Sequence, residues 1–320
     1  MKHTYYIAAD GGGSKLQAVL YDESFRIVRT CRTSGVNTLF KPVEVVRRNL
    51  EQILDELLGN DVEEVASADL CLVCSHELVQ EVFEKNPRIR RVSFHNEPQV
   101  ALAAALQTDG LVALSGTGSD AFMISEGVYL GAVGGWGPLL GDEGSGYDIG
   151  LRALKAAIYA SDGRGEDTML LPLVMEKWQF NRLWDLVGLL AGNPDARHEV
   201  ASAAALASRA ANAGDRVALE IYEYAAQQLI LLARTLIKRF RDKWNGTVVI
   251  TGGAWKGCPL MFERFSAAIR ESYPEAKILQ PLFEPVVGCV VRRCLADGMK
   301  LSDIEEQLLR GFADLRYQTI

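Results

Sequence analysis

The stretch Tyr5-Tyr6-Ile7-Ala8-Ala9-Asp10-Gly11-Gly12-Gly13-Ser14-Lys15-Leu16-Gln17-Ala18-Val19-Leu20-Tyr21 reads as a strand, a glycine loop and a second strand. A turn at Asp22-Glu23-Ser24 and a strand from Arg26 to Cys31 continue it as an antiparallel opening. Beyond it, apolar residues at helical spacing (Val45, Val46, Leu50, Ile53, Leu54, Leu57) predict a helix over Pro42 to Leu58. Strand Leu70 to Cys74, a short helix from about Glu77, strand Val92 to Phe94 and helix Gln99 to Leu106 follow. Strands alternating with helices imply a largely parallel continuation. The opening theme then returns: strand Leu111 to Leu114, loop Ser115-Gly116-Thr117-Gly118-Ser119, strand Ala121 to Ile124 and strand Val128 to Ala132. Two copies of one unit imply duplicated halves.

The rest of the second copy is interrupted. After the glycine-rich stretch Gly134 to Gly150 the chain reads as helical to about Phe240, including an Ala-rich Val200 to Ala213 and a long Asp215 to Arg239. Strand Thr247 to Thr251, a Gly252-Gly253 loop, helix Leu260 to Glu271, strand Lys277 to Leu279 and helices from Val286 and Ser302 complete it. The domains are expected at 1–114 and 115–320, with a helical insertion at about 150–240 and a final helix free to pack back on the first domain.

Glycine placement points to chemistry. Of the 29 glycines, 17 fall within 10–15, 116–118, 127–150 and 252–257. Residues without Cβ let consecutive backbone N–H groups converge on phosphate oxygens; tight hairpins are the plainer use of the same residues. Two matching strand–loop–strand units and a third Gly-Gly loop favour nucleotide binding. There is no G-x-x-x-x-G-K-[ST], and Gly11-Gly12-Gly13 does not continue as G-x-G-x-x-G into a helix, so neither the P-loop nor the dinucleotide fingerprint is present. Both loops lead into a second strand, describing two jaws on a triphosphate.

Composition bounds the rest. The formal charge of −7 gives no footprint for nucleic acid or an acidic membrane surface. The N-terminus is too short in apolar residues for a signal-peptide core, and no window approaches the length of a membrane span. Six scattered cysteines (Cys31, Cys71, Cys74, Cys258, Cys289, Cys294) suit reduced thiols, so a cytoplasmic protein is expected. Cys71-x-x-Cys74 has no second pair and reads as buried packing. His95 reads as a strand-end residue, and His3, His76 and His198 form no ligand spacing.

These motifs together resemble the actin/hexokinase/Hsp70 ATPase superfamily, and within it the BadF/BadG/BcrA/BcrD ATPase family that includes N-acetylglucosamine kinases. Asp10 to Lys15 resembles the first phosphate motif, Ser115 to Ser119 the second, and Val249-Ile250-Thr251-Gly252-Gly253-Ala254 the adenosine motif. Gly134-Gly135-Trp136-Gly137-Pro138-Leu139-Leu140-Gly141-Asp142-Glu143-Gly144-Ser145-Gly146-Tyr147 is similar to the segment that closes on the sugar in amino-sugar kinases. The resemblance implies an α/β, two-domain actin-like ATPase (ribonuclease H-like) fold with ATP in an interdomain cleft, and ATP-dependent phosphorylation of an amino-sugar hydroxyl. It implies ATP and Mg²⁺ as cofactors and leaves the oligomeric state open, a homodimer among the options.

Residue by residue, the resemblance implies Asp10 as the carboxylate near Mg²⁺, against a role capping its own loop. Gly11, Gly12, Gly13, Ser14 and Lys15, with Gly116, Thr117 and Gly118, would hold phosphates, and Gly252 and Gly253 the adenosine. Lys15 reads equally as a solvated strand residue. Asn37, Ser119, Asp120, Trp136 and Asp142 would meet the sugar; Asn37 also reads as a turn former after Gly35, Trp136 as core, and Glu143 as a helix N-terminal charge.

The family pattern breaks at three places. An Asp base is expected where Asn96-Glu97-Pro98 stands, so Glu97 takes that position. Glu97 as base, sugar and ATP binding with little turnover, and Glu97 as a helix N-terminal charge with the base elsewhere remain alternatives. Asp120 replaces an Asn, exchanging a donor for an acceptor and suiting a free amine. Asp148 stands where an aromatic is usual after Tyr147. A BadF/BadG-type ATPase or a sugar sensor of the same fold is the alternative to a kinase; a DNA-binding sensor is not expected, since only nine residues precede Asp10.

Overall fold

Strands β1 (Tyr5–Gly11), β2 (Lys15–Asp22) and β3 (Ile27–Ser34) pair antiparallel through the first glycine loop. Both faces of β1 and β2 are apolar, because a helical layer covers each side. Ile7, Ala9, Leu16, Ala18 and Leu20 pack on helix α1 (Val43–Leu58) through Val46, Leu50, Ile53, Leu54 and Leu57. Ala8, Val19 and Tyr21 point the other way. On the far side of β1, strands β4 (Ser67–Leu72) and β5 (Val92–Phe94) add in parallel, giving the order β3-β2-β1-β4-β5. A short helix α2 (His76–Val79), running into a π-helical turn at Gln80–Glu84, joins β4 to β5. Helix α3 (Glu97–Ala104) follows β5.

This computed structural model describes residues 3–193, 195–318 and 320. The chain forms two units: the described residues up to Thr108 with Pro281–Tyr317, and Asp109–Gln280 with Gln318 and Ile320. The second unit repeats the topology of the first. Strands β6 (Gly110–Ser115), β7 (Ser119–Ser125) and β8 (Val128–Gly134) are antiparallel, and β9 (Thr247–Thr251) and β10 (Lys277–Leu279) join in parallel, in the order β10-β9-β6-β7-β8. Between β8 and β9 lie helices α4 (Gly146–Asp162), α5 (Leu170–Trp178), α6 (Asp185–Leu190), α7 (Ala196–Ser202), α8 (Ala204–Asn212) and α9 (Arg216–Arg239). Helix α10 (Pro259–Ser272) separates β9 from β10. Leu111, Ala113, Ala121, Met123, Val248 and Ile250 share one core with α4, α9 and α10.

Helices α11 (Pro285–Ala296) and α12 (Leu301–Gly311) belong to the first unit. Val287, Val290, Cys294, Ile304 and Leu308 cover Ala8, Val19 and Tyr21. A division at 114/115 falls inside β6, and Pro281–Tyr317 belong to the first unit. The Ala-rich 200–213 is two helices meeting at Ala203, and α3 begins two residues before the expected Gln99. The reason for the latter is local. Asn96 Oδ1 accepts from Gln99 N at 3.0 Å, so Asn96 is the N-cap and Pro98 falls in the first turn, where its missing N–H is harmless. Among the described residues no helix is long and apolar enough to cross a membrane.

Candidate active site

In the first unit the β1 end, the head of α3 and the head of α11 supply a set of charges. Asp10 lies in register with Cys71 of β4 and Gln17 of β2. Burial pushes its carboxyl up to about 6, while Lys15 and the Cys71 thiol, which donates to it, pull it down and Glu284 adds to the rise. Glu97, the first residue of α3, is exposed. The protein packed around it, and then the Asp10 carboxylate, push its carboxyl up to about 7. Lys15 Nζ stands 3.3 Å from Oε2 of Glu284, the N-cap of α11. It is thus an ion-pair member, not a solvated strand residue. Glu284 is missing from the sequence-based site because no motif marks it; the signal that could have found it is its place before Pro285 at a helix start.

The first glycine loop is held by its neighbour in space. Gly12 N donates to Lys15 O at 3.0 Å, and Val36 N donates to Gly12 O at 2.9 Å. Gly35 lies so close that a Cβ there would stand 2.1 Å from Gly13 O, which no side chain permits. Asn49 of α1, 8% exposed, donates from Nδ2 to Ser34 Oγ at 2.8 Å and Gly35 O at 3.1 Å, fixing this turn. Asn37 Oδ1 accepts from Leu39 N at 2.9 Å, the local turn that its residue type favours. Gly11 ends β1, and Gly13 and Ser14 complete the loop before β2.

In the second unit the Ser115–Ser119 loop rests on the head of α4. Gly146 N donates to Gly116 O at 2.8 Å and Tyr147 N to Thr117 O at 3.3 Å. Ser115 Oγ donates to Gly144 O at 2.7 Å. Gly252, with φ +103°, carries the Gly252-Gly253 turn against this loop, where a Cβ would meet Ser115 O at 2.2 Å. The second phosphate motif, the adenosine motif and the α4 head thus come together within one unit.

The residues assigned to the sugar divide into two groups. Ser119 is 2% exposed and its hydroxyl donates to Glu143 O at 2.7 Å, tying β7 to the loop before α4. Asp142, 4% exposed, sits in the left-handed region at φ 60° against Gly118. Its Oδ1 accepts from Gly137 N at 3.3 Å and its Oδ2 stands 3.3 Å from an Arg197 guanidinium nitrogen. Burial lifts its carboxyl above the ordinary value; Arg197, Ser119 N–H and Gly137 N–H oppose the rise. Arg197 comes from α7, in the helical insertion, and nothing in the local sequence announces it. Trp136, by contrast, is 75% exposed, which excludes the core reading, and Leu139 and Leu140 beside it are exposed as well. Asp120 faces Gly134 across the β7–β8 pair, beneath the turn that carries Trp136.

Asp148 has a structural explanation. Asp148 N donates to the N-cap Ser145 Oγ at 3.2 Å and Gly144 N, just before the cap, donates to Asp148 Oδ2 at 2.9 Å, so both groups of Asp148 secure the start of α4. No group of three or more His, Cys, Asp or Glu side chains able to hold a metal is present among the described residues. Asp10 nonetheless fits Mg²⁺, which keeps several waters and takes one or two carboxylates plus phosphate oxygens. Its buried carboxyl, raised despite Lys15, is short of compensating positive charge.

The sequence profile of the BadF/BadG/BcrA/BcrD ATPase family matches residues 9–291. The chain belongs to this family. Among curated proteins it is 27% identical over 298 residues to the N-acetylmuramic acid/N-acetylglucosamine kinase of Clostridium acetobutylicum, covering 90% of this chain and 97% of that protein. It is 29% identical over 313 residues to the N-acetyl-D-glucosamine kinase of Dictyostelium discoideum, covering 91% and 98%. The solved structure of a ROK family glucokinase from Streptomyces griseus, in complex with glucose and AMPPNP, matches with a TM-score of 0.60 at 17% identity over 93% of this chain and 100% of that chain. At that identity the likeness is one of fold, and the fold of this BadF/BadG/BcrA/BcrD ATPase family member is the actin-like ATPase fold with its repeated α/β halves.

Proposed function

We propose that this protein transfers the γ-phosphoryl group of ATP to a hydroxyl of an amino sugar, N-acetylglucosamine or a glucosamine-like sugar, with Glu97 as general base. The observation that carries the proposal is the place of Glu97 as the first residue of α3, directly after its Asn96 cap and within electrostatic reach of Asp10 at the end of β1, where its carboxyl is pushed up to about 7. A base is most effective when its pKa lies near the working pH, and phosphoryl transfer otherwise asks for positioning and charge neutralisation. Family membership and the names of the two curated kinases support the reaction class.

In the first unit Gly11, Gly12, Gly13, Ser14 and Lys15 take phosphate oxygens, Lys15 exchanging Glu284 for them. In the second unit Gly116, Thr117 and Gly118 do the same through backbone N–H groups, and Gly252 and Gly253 meet the adenosine. Asp10 would hold Mg²⁺, which would supply neutralisation of the phosphate charge. Asn37 offers Nδ2 to a sugar hydroxyl, Trp136 an apolar face to the ring and Asp120 an acceptor suited to a protonated amine. Asp142 and Ser119 act behind them, keeping the 134–146 segment in place. A cytoplasmic location accords with this chemistry.

The extra methylene of Glu97 favours one second reading, a binder with little turnover, because misplacing a reacting group by about 1 Å can cost on the order of 10²-fold in rate. ADP release measured with N-acetylglucosamine, glucosamine and glucose for wild type, Glu97→Gln and Glu97→Asp separates the two. Sugar-dependent ADP release, lost in Glu97→Gln, is expected. Turnover in Glu97→Gln equal to wild type overturns the base assignment, and binding without turnover that Glu97→Asp restores establishes the binder. Turnover raised by N-acetylation of the sugar overturns the role given to Asp120.

A further inference from the structure

Strand β4 carries a buried polar chain that the reaction described above does not use. Asp69 is 1% exposed; its Oδ2 accepts from Ser67 Oγ at 2.7 Å and its Oδ1 lies 3.1 Å from His95 Nε2. The His95 side chain is 8% exposed and turned onto Asp69, so it does not face a substrate and is not itself a base. The His95 backbone N donates to Leu70 O at 2.8 Å, extending the β4–β5 pairing by one residue. Asn96 then caps α3, and Glu97 is its first residue.

A carboxylate buried to this degree is costly unless paired, and replacing such a pair by apolar side chains of similar size is often neutral or stabilising. Its presence here is therefore better explained by position than by stability. Strand β5 has only three residues, none of them buried, and is a weak anchor for the helix that follows. The Asp69–His95 contact adds a side-chain tie at the junction. Glu has one more rotatable bond than Asp, so the place of its carboxylate depends more heavily on a fixed backbone.

We propose that Asp69 and His95 are positioning residues for Glu97, tying the head of α3 to β4 so that the longer side chain is held where a base must be. The inference rests on the reading of Glu97 as the base. The test compares His95→Phe, His95→Gln and Asp69→Leu/His95→Phe, each alone and combined with Glu97→Gln, by steady-state kinetics and thermal melts. Gln places an amide nitrogen close to the position of His Nε2 and is expected to keep kcat within about 3-fold, whereas His95→Phe is expected to lose about 10-fold or more in kcat, by the sensitivity of reaction to placement. KM for ATP and for the sugar is expected to stay within 2-fold, since His95 touches neither. The paired apolar variant, which strands no charge, is expected to melt near wild type and to show the same kcat loss. In the Glu97→Gln background neither change is expected to lower turnover further. Equal kcat losses in both backgrounds, or a folded paired variant with wild-type kcat, overturn the positioning role while leaving the base reading intact. Wild-type turnover in Glu97→Gln alone overturns the base reading instead.

Discussion

Glu97 links a structural cost to a chemical use. Its carboxyl rises from 4.5 in the unfolded chain to about 7 in the folded one, so the folded protein holds this proton more tightly. The stabilisation is present below pH of about 4.5 and is lost as pH climbs towards 7, leaving an ionised carboxylate in an unfavourable place at neutral pH. Two outcomes follow at the residue scale. Sugar-dependent kcat/KM is expected to rise with pH through about 7 with unit slope, and in Glu97→Gln to lose that limb and on the order of 10²–10⁴-fold in rate, as measured by ADP release between pH 5.5 and 8.5. Thermal melts at pH 8 are expected to show Glu97→Gln above wild type, with the difference shrinking at pH 5; a higher melting temperature for wild type at pH 8 contradicts the assignment of the shift. Asp10, raised for the same primary reason, is expected to behave alike in its apo form.

At the scale of elements, α3 is set by what surrounds it. The Asn96 cap fixes its start, and α11 fixes its distance from the sheet: a Cβ on Gly288 would meet Val100 O at 2.2 Å. Backbone contact this close leaves no room for even a methyl group. Gly288→Ala is expected to move α3, destabilise the protein by about 1–3 kcal/mol and lower kcat more than KM, read from urea titrations and steady-state kinetics. A variant with wild-type stability and kcat contradicts the close approach. The α3 head was readable from Asn96 and Pro98 alone, although the expected start fell two residues late. The α11 contact was not, because a glycine within a helix carries no mark of the partner across from it. The α4 start shows the same limit in reverse: Asp148 looked like a departure from a family pattern, whereas its carboxylate accepts from Gly144 N and its backbone N donates to Ser145 Oγ.

At the scale of the molecule the two sheets differ in how their cores are assembled. The core of the second unit is drawn almost wholly from one continuous stretch, Asp109–Gln280, whereas one face of the first sheet is covered by α11 and α12, which follow that stretch in sequence. Arg293, 6% exposed, fastens that layer: it donates to Tyr21 Oη at 2.8 Å and to Asp297 at 2.9 Å, with its guanidinium 4.1 Å from the Tyr6 ring centre. A chain ending after Gln280 is expected to uncover Ala8, Val19 and Tyr21 and to be insoluble. A fragment spanning 109–280 is expected to be soluble, helical and cooperative in its thermal melt. Circular dichroism and analytical gel filtration of both check this, and a soluble, folded 1–280 chain contradicts the account of the first core.

Local alternation and punctuation in the chain were enough for the elements that pair with their sequence neighbours. The β1–β2 and β6–β7 hairpins, the α1 apolar stripe and β9 all read from period and glycine placement, because strand alternation, helical spacing and turn chemistry act over a few residues. Both glycine loops were legible for the same reason, since each is one contiguous stretch. Contacts between residues far apart in sequence needed the folded chain. Gly35 against Gly13, Arg197 on Asp142, Glu284 on Lys15 and Asp69 on His95 join residues separated by 22, 55, 269 and 26 positions. No periodicity spans such distances, and the partners in each, a bare backbone in the first and charged or polar side chains in the others, are selected only by packing.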